Sequence, residues 1–377
     1  MRTRALLGVL AVVSLVAVFT TRVSRKMPDF EVYWTAGARA AAAQPLYRES
    51  DGHYQFKYLP AFALLASPLA AMPLAAAKGA WFAASAVLMV TLLGLSVQAM
   101  PSLRRSPVLL LVLTFLAMAK FYAHELVLGQ VNFLFAVLAV LAVVWMHKGR
   151  DAGAGAVLAL AVLVKPYAMI FAPWLATRRQ RGALAALATM VAGLAVLLLL
   201  PALRYGWDGN LQLLREWWQT VTATTAPNLL NQDNVSLSAM FAKWLGPGTT
   251  ARVLAAVTAA ILLLVAGIVM AGRGLLKKPD TLEASLLLML IPLLSPQGWD
   301  YVFLIATPGV MLLIDQAPAL PRELRYVTIA AIAIVALSIF DLMGREAYAA
   351  FKQLSLITVL MLAQYAALVT LRFRRVA

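Results

Sequence analysis

A series of long apolar runs, separated by short polar segments, fills most of the sequence. A helix that crosses the hydrocarbon core of a bilayer needs about 20 mostly apolar residues. The continuous runs are residues 5–21, 75–98, 108–122, 133–145, 183–203, 253–271, 282–294, 302–314, 327–340 and 354–371. One further run, residues 152–176, is interrupted by Lys165-Pro166, and proline breaks or kinks a helix. The pattern predicts an all-α polytopic membrane protein with about twelve membrane helices, two of which are short and meet inside the bilayer.

The balance of residue types favours the same class. The chain of 377 residues is 63% hydrophobic and 13% charged, whereas soluble domains average about 45–50% apolar and about 25% charged residues. So few charges exclude a soluble cytosolic enzyme and a disordered protein. Cysteine is absent, and the three histidines, His53, His124 and His147, lie far apart in the sequence. We therefore expect no disulfide, no thiolate metal site and no bound metal ion.

The positive charges indicate how the chain is oriented. Short cytoplasmic loops of membrane proteins carry an excess of Lys and Arg. With a cytoplasmic N-terminus, 17 of the 32 Lys and Arg residues but only 5 of the 16 acidic residues fall in the short cytoplasmic segments. We attribute the net charge of +16 to this rule and not to nucleic acid binding, and expect both termini in the cytoplasm. Two long outer segments, residues 22–74 and 204–250, carry Trp, Tyr, Asn and Asp and are expected to be ordered and to hold any chemistry.

The first outer segment contains two carboxylates directly after the first apolar run. Asp29 follows Pro28 and precedes helix-forming residues, which suits the N-cap of a helix, where a carboxylate accepts a backbone N–H. The alternative is a general base held at the membrane surface. Glu31 would point to a different face of a helix, so the two carboxylates are a poor acid–base pair. Lys57 either binds a phosphate or extends its ammonium to the lipid headgroups.

Charged residues at or within the later runs are further candidates. Lys165 lies inside an apolar run, and an ionisable group in a membrane is costly and therefore a functional candidate. Near the outer surface it could instead extend to the headgroups. Lys120, His124 and Glu125 end the third run, where an ion pair explains Lys120 at least as well as ligand binding.

Three short polar motifs lie at the edges of other runs. They are Gly129-Gln130-Val131-Asn132, Asn231-Gln232-Asp233-Asn234 and Gln297-Gly298-Trp299-Asp300-Tyr301. Helix capping explains the amides of the first two motifs, and binding of sugar hydroxyls is the alternative. The third motif combines an aromatic face with a carboxylate, which suits a sugar, although Trp and Tyr also form the aromatic belt of membrane proteins. No P-loop fingerprint is present, which argues against ATP-driven transport.

In their order along the chain, these motifs resemble glycosyltransferase family 87 of the GT-C superfamily, which includes polyprenyl-phosphate-mannose-dependent mannosyltransferases of actinobacteria. The resembling segments are Asp29-Phe30-Glu31-Val32-Tyr33, Pro45-Leu46-Tyr47, Phe56-Lys57-Tyr58-Leu59-Pro60, Gly129-Gln130-Val131-Asn132, Leu163-Val164-Lys165-Pro166, Asn231-Gln232 and Leu294-Ser295-Pro296 with Trp299-Asp300. The sequence departs from the family pattern at Leu59, where a second proline is usual, and at Tyr301, where a histidine is common.

The resemblance implies a GT-C-like fold in one integral membrane domain, residues 1–377, with Asp29 as the catalytic base. The other candidates are expected to bind substrate: Glu31, Tyr33, Lys57, Tyr58, His124, Gln130, Asn132, Lys165, Asn231, Gln232, Trp299 and Asp300. The implied donor is a sugar, mannose by resemblance, on a polyprenyl phosphate, and the implied acceptor is a glycolipid or glycan. Because phosphate leaves without protonation, one carboxylate suffices, and direct displacement inverts the anomeric centre.

These expectations describe a hexosyltransferase of the bacterial plasma membrane, with its active site on the outer face and no cofactor besides its donor substrate. Two other functions fit the same sequence. A lipid-linked sugar flippase or other transporter would also have many spans and polar outer loops, but would leave the lipid-linked sugar covalently unchanged. A non-catalytic assembly subunit would need partner proteins and would transfer nothing when purified alone.

Overall fold

The computed structural model describes residues 13–178, 181–275 and 278–374. Its α-helices are α1 Val13–Val23, α2 Pro28–Ala41, α3 Pro60–Ala70, α4 Leu74–Ala99, α5 Pro107–Leu128, α6 Asn132–His147, α7 Asp151–Val164, α8 Phe171–Thr177, α9 Arg181–Leu199, α10 Ala202–Ala223, α11 Leu237–Leu245, α12 Thr249–Ala271, α13 Asp280–Leu294, α14 Thr307–Gln316, α15 Arg322–Leu337, α16 Phe340–Met343, α17 Arg345–Gln353 and α18 Leu356–Phe373. Single 3₁₀ segments include Glu49–Tyr54, Pro166–Ile170 and Asp300–Ala306. Within the described ranges the only β pairing is one isolated bridge between Asn234 and Trp299, so the predicted all-α class is confirmed.

Six helical segments are long and apolar enough to cross a bilayer. They are Leu74–Ala99, Pro107–Leu128, Gly182–Leu199, Thr249–Ala271, Asp300–Ala319 and Leu356–Phe373. Four more helices, α1, α3, α6 and α7, are apolar but shorter. The chain is therefore a polytopic membrane protein with six candidate spans in its described part, and the count of about twelve stays a prediction. Residues 5–12 of the first predicted run lie outside the described residues.

The helix α13 shows that an apolar run need not face lipid. Every residue from Asp280 to Leu293 is buried within the protein. The apolar side chains of the run 282–294 therefore pack against other parts of the protein. Hydrophobicity reports removal from water and does not distinguish protein from hydrocarbon as the surroundings.

The predicted interruption at Lys165-Pro166 is confirmed. α7 ends at Val164, Lys165 is extended with φ −146° and ψ 113°, and Pro166 begins a 3₁₀ turn. Proline disfavours the helical conformation in the residue before it, which explains the extended backbone of Lys165. The short helix α8 then continues the chain, so Lys165 lies in the gap between two helices.

The two long segments between apolar runs contain helices. Residues 22–74 contain α2 and α3, and residues 204–250 contain most of α10 and all of α11. The side of the membrane on which these segments lie stays a prediction.

The beginning of α2 is fixed against the end of α5. The backbone N–H of Met27 donates to the carbonyl of Val127 over 3.0 Å, and the Trp81 indole N–H donates to the carbonyl of Gly129 over 2.9 Å. Gly129 ends α5 with φ 70° and ψ 34°, a left-handed conformation that favours glycine. A Cβ at Gly129 would lie 2.7 Å from the Cβ of Phe30. This close approach determines where the first turn of α2 lies.

Gly129→Ala is expected to destabilise the protein more than Gly149→Ala. Gly149 has a φ of 68° but open space where a Cβ would lie, so its substitution should cost only the left-handed backbone strain, about 1 kcal/mol. Gly129→Ala adds overpacking against Phe30, for an expected total of about 2 kcal/mol or more. Thermal unfolding of both purified variants in the same detergent measures the difference. Equal losses of stability would contradict the tight packing between α2 and α5.

Candidate active site

A cavity of about 550 Å³ lies where the beginning of α2, the loop before α3, the end of α5 and the gap after α7 meet. α10, the loop before α11 and the loop after α13 complete its wall. Its polar and aromatic lining residues are Asp29, Tyr33, His53, Tyr54, Gln55, Lys57, Tyr58, His124, Gln130, Lys165, Tyr167, Trp217, Trp218, Thr224, Thr225, Asn231, Asp233, Ser295, Gln297, Trp299 and Tyr301. A concave site of this volume with a few converging polar groups suits a small ligand.

Asp29 enters this cavity from the first turn of α2. The N-cap position of α2 belongs to Met27, and Pro28 is the first helical residue, so the capping role considered for Asp29 is wrong. The half-buried carboxylate faces the cavity instead. Burial raises the pKa of Asp29, while a hydrogen bond with Gln130 and the positive charges of Lys165, His53 and Lys57 oppose that rise.

Three tyrosines hold the side chain of Gln130 in place. Its Oε1 accepts hydrogen bonds from the hydroxyls of Tyr33 at 3.0 Å and Tyr58 at 3.2 Å. Its Nε2 donates to the Tyr301 hydroxyl at 3.3 Å, and the Tyr33 and Tyr58 hydroxyls lie 2.7 Å apart. Tyr301, at the position where the family commonly has histidine, thus completes a network that orients the amide next to Asp29.

Two lysines provide positive charge in the same cavity. Burial lowers the pKa of Lys57, and the charge of Asp29 opposes this shift. The ammonium of Lys165 lies 5.2 Å from the ring centre of Tyr58, which is within the range of a cation–π contact. Because both lysines line the cavity, their position favours anion binding over extension to the lipid headgroups.

Glu125 and Asn132 form a helix cap that is separate from the cavity. The Glu125 carboxylate accepts from the backbone N–H of Asn132 at 2.5 Å, from its side-chain amide at 2.8 Å and from the N–H of Phe133 at 3.2 Å. The first N–H groups of a helix lack partners within the helix, and a buried carboxylate meets that need here. The predicted substrate contact of Asn132 is therefore corrected. Lys120 donates to the carbonyl and hydroxyl of Ser338 and not to Glu125.

His124 lines the cavity, and Asp300 lies behind it. The His124 Nδ1 is 3.2 Å from an Oδ atom of Asp300, and the imidazole meets the Tyr301 ring edge-on with centroids 5.0 Å apart. Asp300 is buried and does not line the cavity, so its predicted direct contact with substrate is corrected to an indirect one through His124. Its neighbour Trp299 does line the cavity.

Two other predicted residues point elsewhere. Glu31 pairs with Lys78, with Oε1 and Nζ 2.5 Å apart, and does not line the cavity, because two helical positions turn its side chain away from that of Asp29. Gln232 does not line the cavity either, and its carbonyl accepts a hydrogen bond from Lys243. Asn231 does line it, as predicted.

The sequence interpretation missed the aromatic residues that α10 contributes. Trp217 and Trp218 both line the cavity, and the Trp217 indole N–H donates to the carbonyl of Lys57 over 3.2 Å. Two adjacent tryptophans in a long polar segment were a visible signal. Their use could not be inferred because an aromatic belt gives the same signal.

Among the described residues, no group of three or more His, Cys, Asp or Glu side chains is arranged as a metal site. The expectation of a metal-independent reaction stays a prediction.

Comparison with known proteins identifies the family. The model of glycosyltransferase family 87 matches residues 56–296, which is well over half of the chain. The matched segment includes Lys57, His124, Gln130 and Lys165 and begins after Asp29. No curated protein and no solved structure matches the chain. Although the match leaves out Asp29, Tyr33, Trp299 and Tyr301, its extent shows that the chain belongs to glycosyltransferase family 87.

Proposed function

We propose that this glycosyltransferase moves a sugar from a polyprenyl phosphate to a hydroxyl of a glycolipid or glycan, with Asp29 as the general base. The observation that carries the proposal is that the carboxylate of Asp29 and the ammonium groups of Lys57 and Lys165 lie in the wall of one cavity, whereas the second carboxylate of the wall, Asp233, is paired with Lys352. A base suits a hydroxyl that must lose its proton. Fixed cations suit a phosphate on which negative charge develops as it leaves.

The reaction then needs few groups. Asp29 takes the proton of the acceptor hydroxyl while that oxygen forms a bond to the anomeric carbon of the donor. The bond from this carbon to the phosphate oxygen breaks, and the polyprenyl phosphate departs with its charge neutralised by Lys57 and Lys165. Attack from the opposite side inverts the anomeric centre. Glycoside hydrolysis needs a second carboxyl group as acid because its leaving group is poor, whereas phosphate leaves without one.

The finer assignments follow from the resemblance and from the charge pattern. We take the sugar to be mannose, which makes the enzyme a hexosyltransferase, and the location to be the outer face of a bacterial plasma membrane. A donor with a lipid tail suits a chain that is 63% hydrophobic and keeps little mass outside the bilayer. Tyr58, His124, Gln130, Asn231 and Trp299 are then contacts for the donor or acceptor.

Transfer by the purified protein tests this function. The protein in lipid nanodiscs is incubated with polyprenyl-phosphate mannose and membrane glycolipids, and the products are identified by mass spectrometry. We expect an acceptor heavier by one hexose together with free polyprenyl phosphate. A flippase would leave both lipids covalently unchanged, and an assembly subunit would give no product alone, so either outcome would refute the proposal.

The pH dependence of transfer should follow the titration of the Asp29 carboxyl group. Its base form is lost as the pH falls through its pKa, and since burial raises that pKa, the decline should begin at a higher pH than for an exposed carboxyl group. Gln130→Leu removes a hydrogen bond that lowers the pKa of Asp29. We therefore expect this variant to move the acid limb of the kcat/KM profile to still higher pH. If Gln130→Leu does not move the acid limb of the kcat/KM profile, a group other than Asp29 causes that limb.

A further inference from the structure

The wall that α10 contributes differs chemically from the wall around Asp29. Thr224 and Thr225, directly after the last residue of α10, line the cavity together with Gln55, Asn231 and Gln297. These side chains carry no charge, and each can donate and accept hydrogen bonds. The carboxylate that the same loop adds to the lining, Asp233, is paired with Lys352. The Gln297 amide donates to the Thr225 hydroxyl over 3.1 Å, which links the loop after α13 to α10. A phosphate would bind at the lysines of the same cavity. The uncharged donors and acceptors of this wall instead suit a ligand rich in hydroxyl groups.

Trp218 presents an open aromatic face at this wall. It lines the cavity and is 62% exposed, so much of its ring surface is free of protein contacts. Its neighbour Trp217 is fixed by the hydrogen bond to the Lys57 carbonyl, and the two ring centroids lie 6.2 Å apart. α10 is thereby tied to the loop that carries Lys57, and the indole of Trp218 is held beside the cavity.

We propose, on the basis of the function proposed above, that Trp218 and the neutral residues around it form an acceptor subsite for a pyranose ring. One face of such a ring presents C–H groups, which pack on the electron-rich face of an indole. The hydroxyls at its rim then meet the amides and hydroxyls of Gln55, Thr224, Asn231 and Gln297. The acceptor nucleophile is accordingly a sugar hydroxyl and not the hydroxyl of a simple lipid headgroup.

A lipid chain is the alternative ligand that could contact Trp218. A sugar ring and a lipid chain require different properties of this side chain. A hydrocarbon chain needs only apolar surface, which leucine also supplies. A sugar needs a flat aromatic face, which phenylalanine retains in part. The same helix offers a matched control, because Trp207 is 60% exposed but does not line the cavity.

Binding without donor tests the subsite separately from transfer. Octyl mannoside and an octyl tetraethylene glycol ether of the same chain length are titrated against nanodisc-embedded protein by saturation-transfer NMR. We expect Trp218→Leu to weaken octyl mannoside binding about tenfold, Trp218→Phe to have a smaller effect, and Trp207→Leu to have none. The ether should respond to none of the substitutions.

Two results would overturn the subsite. Octyl mannoside binding that Trp218→Leu leaves unchanged would remove Trp218 from it, and an equal loss for both amphiphiles would assign Trp218 to a lipid chain. Because no donor is present, these titrations stay informative even if the transfer assay detects no product. In the transfer assay, Trp218→Leu should raise the acceptor KM and leave the donor KM unchanged.

Discussion

Asp29→Asn is expected to lower the transfer rate at least about a hundredfold, the low end of what a general base contributes, and to leave donor binding intact. The amide has nearly the same shape as the carboxylate, and its oxygen can still accept a hydrogen bond from Gln130. It cannot take a proton from the acceptor hydroxyl. Single-turnover transfer of the sugar, with the donor Kd measured in parallel, separates the chemical step from binding.

Glu31→Gln is the matched control for this variant. The substitution is chemically the same and lies two residues further along α2, where the side chain faces Lys78 and not the cavity. The new amide oxygen can still accept from Lys78, so transfer should stay close to that of the wild type. Near-normal turnover in Asp29→Asn, or an equal loss in the two variants, would remove Asp29 from the reaction.

Lys165→Met should raise the donor KM at least about thirtyfold, which corresponds to the loss of one buried charge partner of a phosphate. Methionine keeps much of the apolar stem but removes the charge and with it the cation–π contact with Tyr58. Lys165→Arg should recover part of the affinity because a guanidinium also binds phosphate. Steady-state transfer at varied donor concentration measures the change, and acceptor KM should move far less.

Lys120→Met controls for the loss of a lysine from an apolar environment. Lys120 lies in α5, bonds to Ser338 and does not line the cavity. Its substitution is expected to leave donor KM unchanged, whatever its effect on stability. If Lys165→Met binds donor as tightly as the wild type, Lys165 has no part in holding the phosphate.

The features that the sequence predicts well have local causes. Proline at position 166 interrupts a helix whatever surrounds it, and the gap at Lys165 is found where it was expected. The all-α class follows similarly from the length of the apolar runs. Which apolar runs face lipid does not follow, because α13 is buried within the protein from Asp280 to Leu293, and composition does not distinguish a buried helix from one that faces lipid.

Which residues line the cavity depends on contacts between distant parts of the chain. Asp29 and Gln130 meet because Gly129 lets α2 pack closely on the end of α5, which no local pattern shows. Asn132 shows that neighbours in sequence can also lie apart: it is two residues from Gln130, but its side chain faces Glu125 and not the cavity. Neighbours in a motif diverge because a side chain's direction is set by backbone geometry and by whichever buried group needs a partner.

Trp218 shows a further limit of the sequence. A tryptophan in a polar segment beside an apolar run is typical of an interfacial belt. The sequence therefore does not distinguish the pair in α10 from belt residues. Only the fold shows that the exposed ring lies beside a cavity with neutral hydrogen-bonding groups, while Trp207 on the same helix does not. The distinction between a belt residue and a ligand contact therefore required the packing of α10.

A cryo-electron microscopy structure of the Asp29→Asn protein with a short-chain polyprenyl-phosphate mannose tests the proposed arrangement most directly. The substitution should preserve the bound donor by preventing its consumption. We predict the phosphate within hydrogen-bonding distance of Lys57 or Lys165, and the sugar between that phosphate and position 29 with its anomeric carbon open toward the α10 wall. A phosphate bound away from both lysines, or a sugar that does not reach position 29, would contradict the mechanism.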